Sequence, residues 1–138
     1  MQRTAEAVIL DDENRILLEK RKSDEDNYAG RWAVPGGHLE KNESPEQTLI
    51  REMREELRIK ITEYEFLKKI MDVDPTSKEI YEHNVFIVKA YDGKITGTEE
   101  EERLAWVPLD KADKITAMAV KDRKIVKEVL KNIRNVNS

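Results

Sequence analysis

The chain has 138 residues, 38% of them hydrophobic and 39% charged, enough for one domain with a buried core beneath a heavily ionised surface. A formal net charge of −4, from 25 basic and 29 acidic residues, excludes the basic footprint of a protein that wraps nucleic acid. No apolar run approaches the ~18 residues of a membrane span, and MQRTAEAVIL has no cationic head before a long apolar region. With no cysteine, disulfides and thiolate chemistry are unavailable, and a reducing, cytoplasmic setting is expected.

Residues 4–10 (TAEAVIL) and 15–19 (RILLE) read as strands flanking DDEN at 11–14, a hairpin turn. SDEDNYAG at 23–30 is polar and aperiodic, a loop. Residues 32–34 form a short strand before Pro35-Gly36-Gly37, where a sharp turn is expected. Ser44 then stands as N-cap, Pro45 at the first helical position, and Gln47 completes a capping box. The helix is expected over 45–58, with Leu49, Ile50, Met53 and Leu57 on its core side. At ~100° per residue, Glu52, Glu55 and Glu56 gather on a face beside that core stripe, not opposite it. Residues 60–73 and 79–91 are rich in β-branched and aromatic residues, and they flank a polar loop at 74–78. Asp92-Gly93 reads as a tight turn between strands, and 99–102 is an acidic run. A strand at 104–107, a helical turn at 109–114 and an amphipathic helix at 121–133 finish the chain; the basic face of that helix is expected to be solvated. With no repeat or interdomain linker, the order implies a mixed sheet with helices, an α/β (α+β) sandwich over residues 1–138.

Like charges three and four apart cost a helix a few tenths of a kcal/mol per pair. Arg51, Arg54 and Arg58 could offset that, leaving an ordinary solvated face. The preceding Gly36-Gly37 favours a second reading. Bare glycine backbone admits a ligand closely, and its carbonyls can join carboxylates around a hard cation such as Mg²⁺, which keeps positions for substrate phosphates. A net-acidic protein binding a polyanion needs such a local cation.

The same residues resemble the motif of the Nudix hydrolase family: Gly, five residues, Glu, seven residues, then Arg-Glu-aliphatic-x-Glu-Glu-x-Gly-aliphatic. Gly37, Glu43, Arg51, Glu52, Met53, Glu55, Glu56 and Ile59 fall in register, and WAVPGG at 32–37 is also similar to many members. Arg58 departs, standing where the pattern has the Gly that closes the helix. Either Arg58 takes the left-handed conformation at a cost of ~1 kcal/mol, or the helix runs slightly longer.

The resemblance implies a Nudix fold, with a mixed β-sheet packed between helices. It also implies Mg²⁺-dependent hydrolysis of a nucleoside diphosphate linked to another moiety, Mn²⁺ being able to substitute. Glu52, Glu55 and Glu56 would hold metal and carry the chemistry, Gly37 would add its carbonyl, Arg51 would orient a glutamate, and Glu43 would tie loop to helix. Glu100, by its distance from Trp106, is the candidate additional ligand or base, against a merely solvated acidic loop. Arg21 is a candidate phosphate contact and Trp32 a stacking surface for a base, with surface exposure and core packing as the respective alternatives. Tyr81 and His83 share a strand face and could line the pocket, with Phe86 on the other side; plain packing is the blander reading. His38 adjoins the metal loop as a supporting residue.

The short chain without extra domains favours a MutT-like nucleoside triphosphate diphosphatase that releases a nucleoside monophosphate and pyrophosphate. Oxidised purine triphosphates are candidates, weakened because TAMAV at 116–120 offers no base-reading Asn. ADP-ribose pyrophosphatase activity is the alternative, and a non-catalytic nucleotide-sensing module is disfavoured by the intact ligand set. Expected partners are small nucleotides, with no nucleic acid polymer and no membrane, the chain being a monomer or homodimer.

Overall fold

The computed structural model describes residues 1–21, 31–95 and 103–137. The candidates Glu100, the acidic run at 99–102 and the loop at 23–30 lie outside the described residues. The chain divides into two units: residues 1–9 with 35–101, and residues 10–34 with 102–138.

The first unit is built on a four-stranded mixed sheet in the order β4-β1-β6-β5: β1 (Gln2–Ile9), β4 (Gly36–His38), β5 (Lys60–Val73) and β6 (Ile80–Asp92). β1 runs parallel to β6 and antiparallel to β4. As a central strand it is buried continuously from Thr4 to Ile9, including the polar Thr4 and Glu6. β5 and β6 pair antiparallel over most of their length, with register shifts after Ile61, Glu63 and Phe66. Their connection is closed by Asp74, whose Oδ1 accepts from the Thr76 and Ser77 N–H groups at 2.8 and 3.0 Å.

Helix α1 (Pro45–Leu57) belongs to this unit and begins as its capping box dictates. Gln47 N donates to Ser44 Oγ at 3.1 Å, and Ser44 N donates to Gln47 Oε1 at 2.9 Å. Leu49, Met53 and Leu57 are buried as expected, each worth roughly 1.5–3 kcal/mol. Ile50, expected in the core, is half-buried, and Thr48 takes a buried place. Arg58 adopts the left-handed conformation (φ 58°, ψ 36°) that the motif's Gly would adopt. Its N–H donates to the Arg54 carbonyl at 3.1 Å, the 5→1 bond of a left-handed helix end, and Ile59 N donates to Met53 O at 3.4 Å. The helix is therefore stopped on schedule, and the possible extension is not realised. The chain does bend between β3 and β4, at Pro35, but the glycines take no part through positive φ: Gly36 and Gly37 are the start of β4.

The second unit carries β2 (Arg15–Lys20), β3 (Trp32–Ala33) and β7 (Leu104–Pro108) in the antiparallel order β3-β2-β7. It also carries the short α2 (Leu109–Ala112) and α3 (Val120–Asn137). Asp11–Asn14 is a turn as read. Asp11 Oδ1 accepts from Glu13 N and Arg15 N at 3.0 and 2.8 Å, and Asn14 takes φ 57°. It closes a hairpin only locally, Leu10 bridging Ile16 antiparallel and Asp11 N donating to Arg15 O at 3.0 Å, before β1 and β2 go to different sheets. Among the described residues no strand after Asp92-Gly93 pairs with β6, since β7 pairs with β2. On α3, Ile125, Val126 and Val129 are buried, and so is Asp122, which accepts from Val34 N and from Lys121 Nζ, each at 3.1 Å. Lys121 is thereby drawn from the solvated face expected for it, its side chain only 11% exposed. Among the described residues no helix is long and apolar enough to cross a membrane.

Candidate active site

The loop between β4 and α1 and the first turns of α1 bring Glu43, Thr48 and Arg51 together. In a helix begun at Pro45, Thr48 and Arg51 are three apart and stack on one face, toward the loop residue Glu43. Arg51 grips Glu43 with two parallel bonds, Nε to Oε2 at 2.7 Å and Nη2 to Oε1 at 2.9 Å. Thr48 Oγ1 donates to Glu43 Oε1 at 2.6 Å and Glu40 N donates to the same oxygen at 3.0 Å. The Glu43 carboxyl is held down to about 2, first by the guanidinium, then by the Glu40 N–H and the Thr48 hydroxyl. Arg51 is correspondingly pushed up, chiefly by Glu43.

The other side of the same guanidinium faces the acidic patch. Arg51 Nη1 donates to Glu52 Oε1 at 2.8 Å and to Glu55 Oε2 at 3.3 Å, while Nη2 also reaches the His38 carbonyl at 3.1 Å. One positive charge thus serves Glu43, Glu52 and Glu55 and is already matched by Glu43, leaving this group net negative. Glu52 is largely buried, its side chain 15% exposed, whereas Glu55 is 60% exposed. Glu56 is half-buried on the same helix.

Gly37 completes the arrangement by what it lacks. A Cβ there would stand 2.3 Å from Glu52 Cδ and 2.4 and 2.7 Å from its two oxygens. Bare main chain and carboxylate are therefore in direct contact, as the notion of a shared oxygen-donor site requires. The donors are hard and anionic, which suits a hard divalent cation. Among the described residues no three His, Asp or Glu side chains form a ready-made cage. An open carboxylate set of this kind fits an ion that retains water and substrate oxygens better than one enclosed by protein.

Tyr81 and His83 are in the same unit but on the other face of its sheet. Thr4, His38 and His83 are register partners, one position out of phase with Gly37 and Ala5. His83 is buried, with Nδ1 2.7 Å from Thr4 Oγ1, and its ring stacks on Tyr81 at 5.8 Å and 11°. Exposed His38 meets Tyr81 edge-on at 6.2 Å. Phe86 faces the opposite side, as expected. Arg21 and Trp32 belong to the second unit. Arg21 N donates to Arg31 O at 2.9 Å, and the main-chain N–H of half-buried Trp32 donates to Ala117 O at 2.8 Å. Thr48 and the His38 carbonyl were missed by sequence reasoning. Thr48 could have been found from its place three before Arg51 on the helix; a main-chain oxygen leaves no signal in residue type.

This constellation, a glycine backbone against a helix glutamate clamped by an arginine that a loop glutamate holds, is an arrangement of hard oxygen donors able to take a divalent cation. The NUDIX domain model matches residues 1–129, and the chain belongs to the Nudix hydrolase family. It is 34% identical over 115 residues to the nucleoside triphosphatase NudI of an Enterobacter species, covering 77% of this chain and 82% of that one. Over 66 residues it is 39% identical to an 8-oxo-dGTP diphosphatase of Proteus vulgaris, a match that spans 48% of this chain but only 58% of that protein. The fold is similar to the crystal structure of a MutT NUDIX hydrolase from Burkholderia pseudomallei, at TM-score 0.80 and 30% identity over 93% of this chain and 97% of that one.

Proposed function

We propose that the chain hydrolyses nucleoside triphosphates to nucleoside monophosphate and pyrophosphate, using Mg²⁺, with Mn²⁺ able to substitute. Water adds to phosphorus and the anhydride bond to the pyrophosphate leaving group breaks. The observation that carries this reading is the Arg51-centred carboxylate group pressed against the Gly37 backbone. Triphosphates are favoured because the similar proteins named above act on nucleoside triphosphates by their names.

In this reading Glu52, Glu55 and Glu56 hold the metal with the Gly37 carbonyl. The divalent ion supplies charge neutralisation on phosphate oxygens and activation of water. The chain's own part is positional. Glu43 fixes Arg51, Arg51 fixes the Glu52 and Glu55 oxygens, and Gly37 leaves the space in which these oxygens and the substrate meet. Proton removal from water falls to one of Glu52, Glu55 and Glu56 or to Glu100. Tyr81 and His83 as pocket-lining residues rest on the sequence alone, since they lie on the face of the sheet opposite Gly37 and Glu52. Arg21 as phosphate contact and Trp32 as stacking surface rest on the sequence alone. The cysteine-free chain suits the reducing cytoplasm.

The test is a panel of nucleoside triphosphates, their oxidised forms and ADP-ribose under Mg²⁺, with products identified. Nucleoside monophosphate plus pyrophosphate is expected. AMP plus ribose 5-phosphate from ADP-ribose would replace the substrate assignment, and no turnover of any compound would favour a nucleotide sensor.

A further inference from the structure

Glu43 can position Arg51 only if something other than Arg51 positions Glu43. Four bonds converge on its carboxylate, two from Arg51 and one each from Glu40 N and Thr48 Oγ1. The first independent anchor comes from the loop, where Asn42 takes φ 67° and Glu43 N donates back to Glu40 O at 3.0 Å. The second comes from α1 itself, the helix that carries Glu52, Glu55 and Glu56. At 2.6 Å the Thr48 bond is the shortest of the four, as a hydroxyl donating to an ionised carboxylate should be.

Thr48 is fully buried, so water does not compete for its hydroxyl. That hydroxyl has one proton and two acceptors within reach, Glu43 Oε1 and, at 3.1 Å, Ser44 O. The Ser44 carbonyl already accepts the Thr48 main-chain N–H at 3.0 Å, and the shorter bond to the charged oxygen takes the hydroxyl proton. Helix propensity does not ask for threonine here. Alanine would suit the helix better, yet it would leave Glu43 held to α1 by Arg51 alone. The consequence lies in how Arg51 divides its N–H groups. Nε and Nη2 fork onto Glu43, Nη2 also reaches His38 O, and Nη1 serves Glu52 and Glu55. A Glu43 carboxylate free to turn would release the fork. The guanidinium charge would then settle on Glu52 and Glu55 and compete with a cation for the same oxygens.

We propose that the Thr48 hydroxyl is a positioning group for the cation site: it anchors Glu43 to α1 independently of Arg51, and so keeps the guanidinium forked on Glu43 and the oxygens of Glu52 and Glu55 available to a divalent ion. Thr48 acts through Glu43 and Arg51, not by contact with the ion. The inference rests on the reading of those carboxylates as metal ligands and deepens it.

Titration of Mn²⁺ into the full chain, followed by electron paramagnetic resonance, tests it. Thr48→Val keeps the shape of the side chain and removes the hydroxyl. The Mn²⁺ dissociation constant should rise ~10-fold, the lower end of what losing a group that supports a metal ligand costs. Thr48→Ser restores the hydroxyl and should recover most of the affinity. In a Glu43→Ala background Thr48→Val should weaken binding no further, because the hydroxyl then has no carboxylate to hold and keeps Ser44 O as its partner. Thr48→Val will melt below wild type, so binding is measured on folded protein well under its transition. A role in stability alone would lower the melting temperature and leave the dissociation constant of the folded chain unchanged. Thr48→Val binding Mn²⁺ as wild type does, Thr48→Ser no better than Thr48→Val, or an equal loss with and without Glu43 would each overturn this proposal alone. A wild type that binds no Mn²⁺ would overturn it together with the metal reading beneath it.

Discussion

Replacing Gly37 by alanine probes the site with one methyl group. The added Cβ would begin 2.3 Å from Glu52 Cδ, whereas ordinary contact starts at 3.4 Å, so the carboxylate must retreat by 3.4 − 2.3, about 1 Å. The obstacle is the end of a flexible side chain, and Gly37 does not use positive φ, so the fold should absorb the change. A melting temperature within a few degrees of wild type is expected. The retreat stretches the 2.8 Å bond from Arg51 Nη1 to Glu52 beyond hydrogen-bonding range and removes the carboxylate from its contact with the main chain. A displacement of this size at a positioned catalytic group costs on the order of 10²-fold in rate, or ~2.7 kcal/mol of transition-state stabilisation. Pyrophosphate release under saturating Mg²⁺, measured alongside thermal unfolding, reads both quantities. Gly36→Ala is the control: its Cβ would meet the Ala5 carbonyl oxygen at 2.4 Å, a backbone atom that cannot yield, so stability should fall. A folded Gly37→Ala protein with wild-type kcat/KM would sink the reasoning.

Three further outcomes follow from the same geometry. Arg58→Gly should raise the urea midpoint by the equivalent of ~1 kcal/mol, because glycine holds the left-handed conformation without a Cβ penalty; a loss of stability would mean that the Arg58 side chain contributes more than its backbone strain costs. Glu55→Gln and Glu56→Gln should each reduce kcat by at least ~10² with unchanged melting, and activity retained in both would remove the carboxylates from the chemistry. Glu43 ionises near 2 in the fold against an ordinary 4.5, so its stabilising effect is complete above about 4.5 and disappears as pH falls toward 2. The gap in urea midpoint between wild type and Glu43→Gln should accordingly narrow from pH 5 to pH 3, and a gap that widens would contradict the assignment.

Much of this architecture was legible because it is local. The capping box at Ser44 and Gln47 fixes the start of α1 to the residue, and fixed spacing from Pro45 then decides that Glu52 must sit beside the buried stripe; the supporting roles of Arg51 and Glu43 were legible only through the motif resemblance, and their direct pairing is a finding of the structure. Long-range pairing is a different matter. Asp11–Asn14 has every mark of a hairpin turn, yet the strands on either side join separate sheets, a choice made by the partners β4, β6, β3 and β7 and not by the turn. The turn read at Pro35-Gly36-Gly37 is there, at Pro35, but it does not draw on glycine's freedom of φ; the glycines serve close approach, one against Ala5 and the other against Glu52. Arg58 shows the converse, a residue without glycine's freedom held in glycine's conformation because Arg54 and Met53 carbonyls close the helix over it. The burial of Asp122 and Lys121 on an apparently solvated basic helix depends on Val34, far away in sequence.

The central claim is that the carboxylates around Arg51 and the Gly37 backbone hold a divalent cation. Electron paramagnetic resonance of Mn²⁺, titrated into the chain with a non-hydrolysable nucleoside triphosphate analogue, measures this directly. The account predicts that the free-ion signal is lost on binding, and that it persists when Glu52, Glu55 and Glu56 are replaced together by glutamine in a protein that still folds. Equal binding by that triple variant, or none by the wild type, would contradict it.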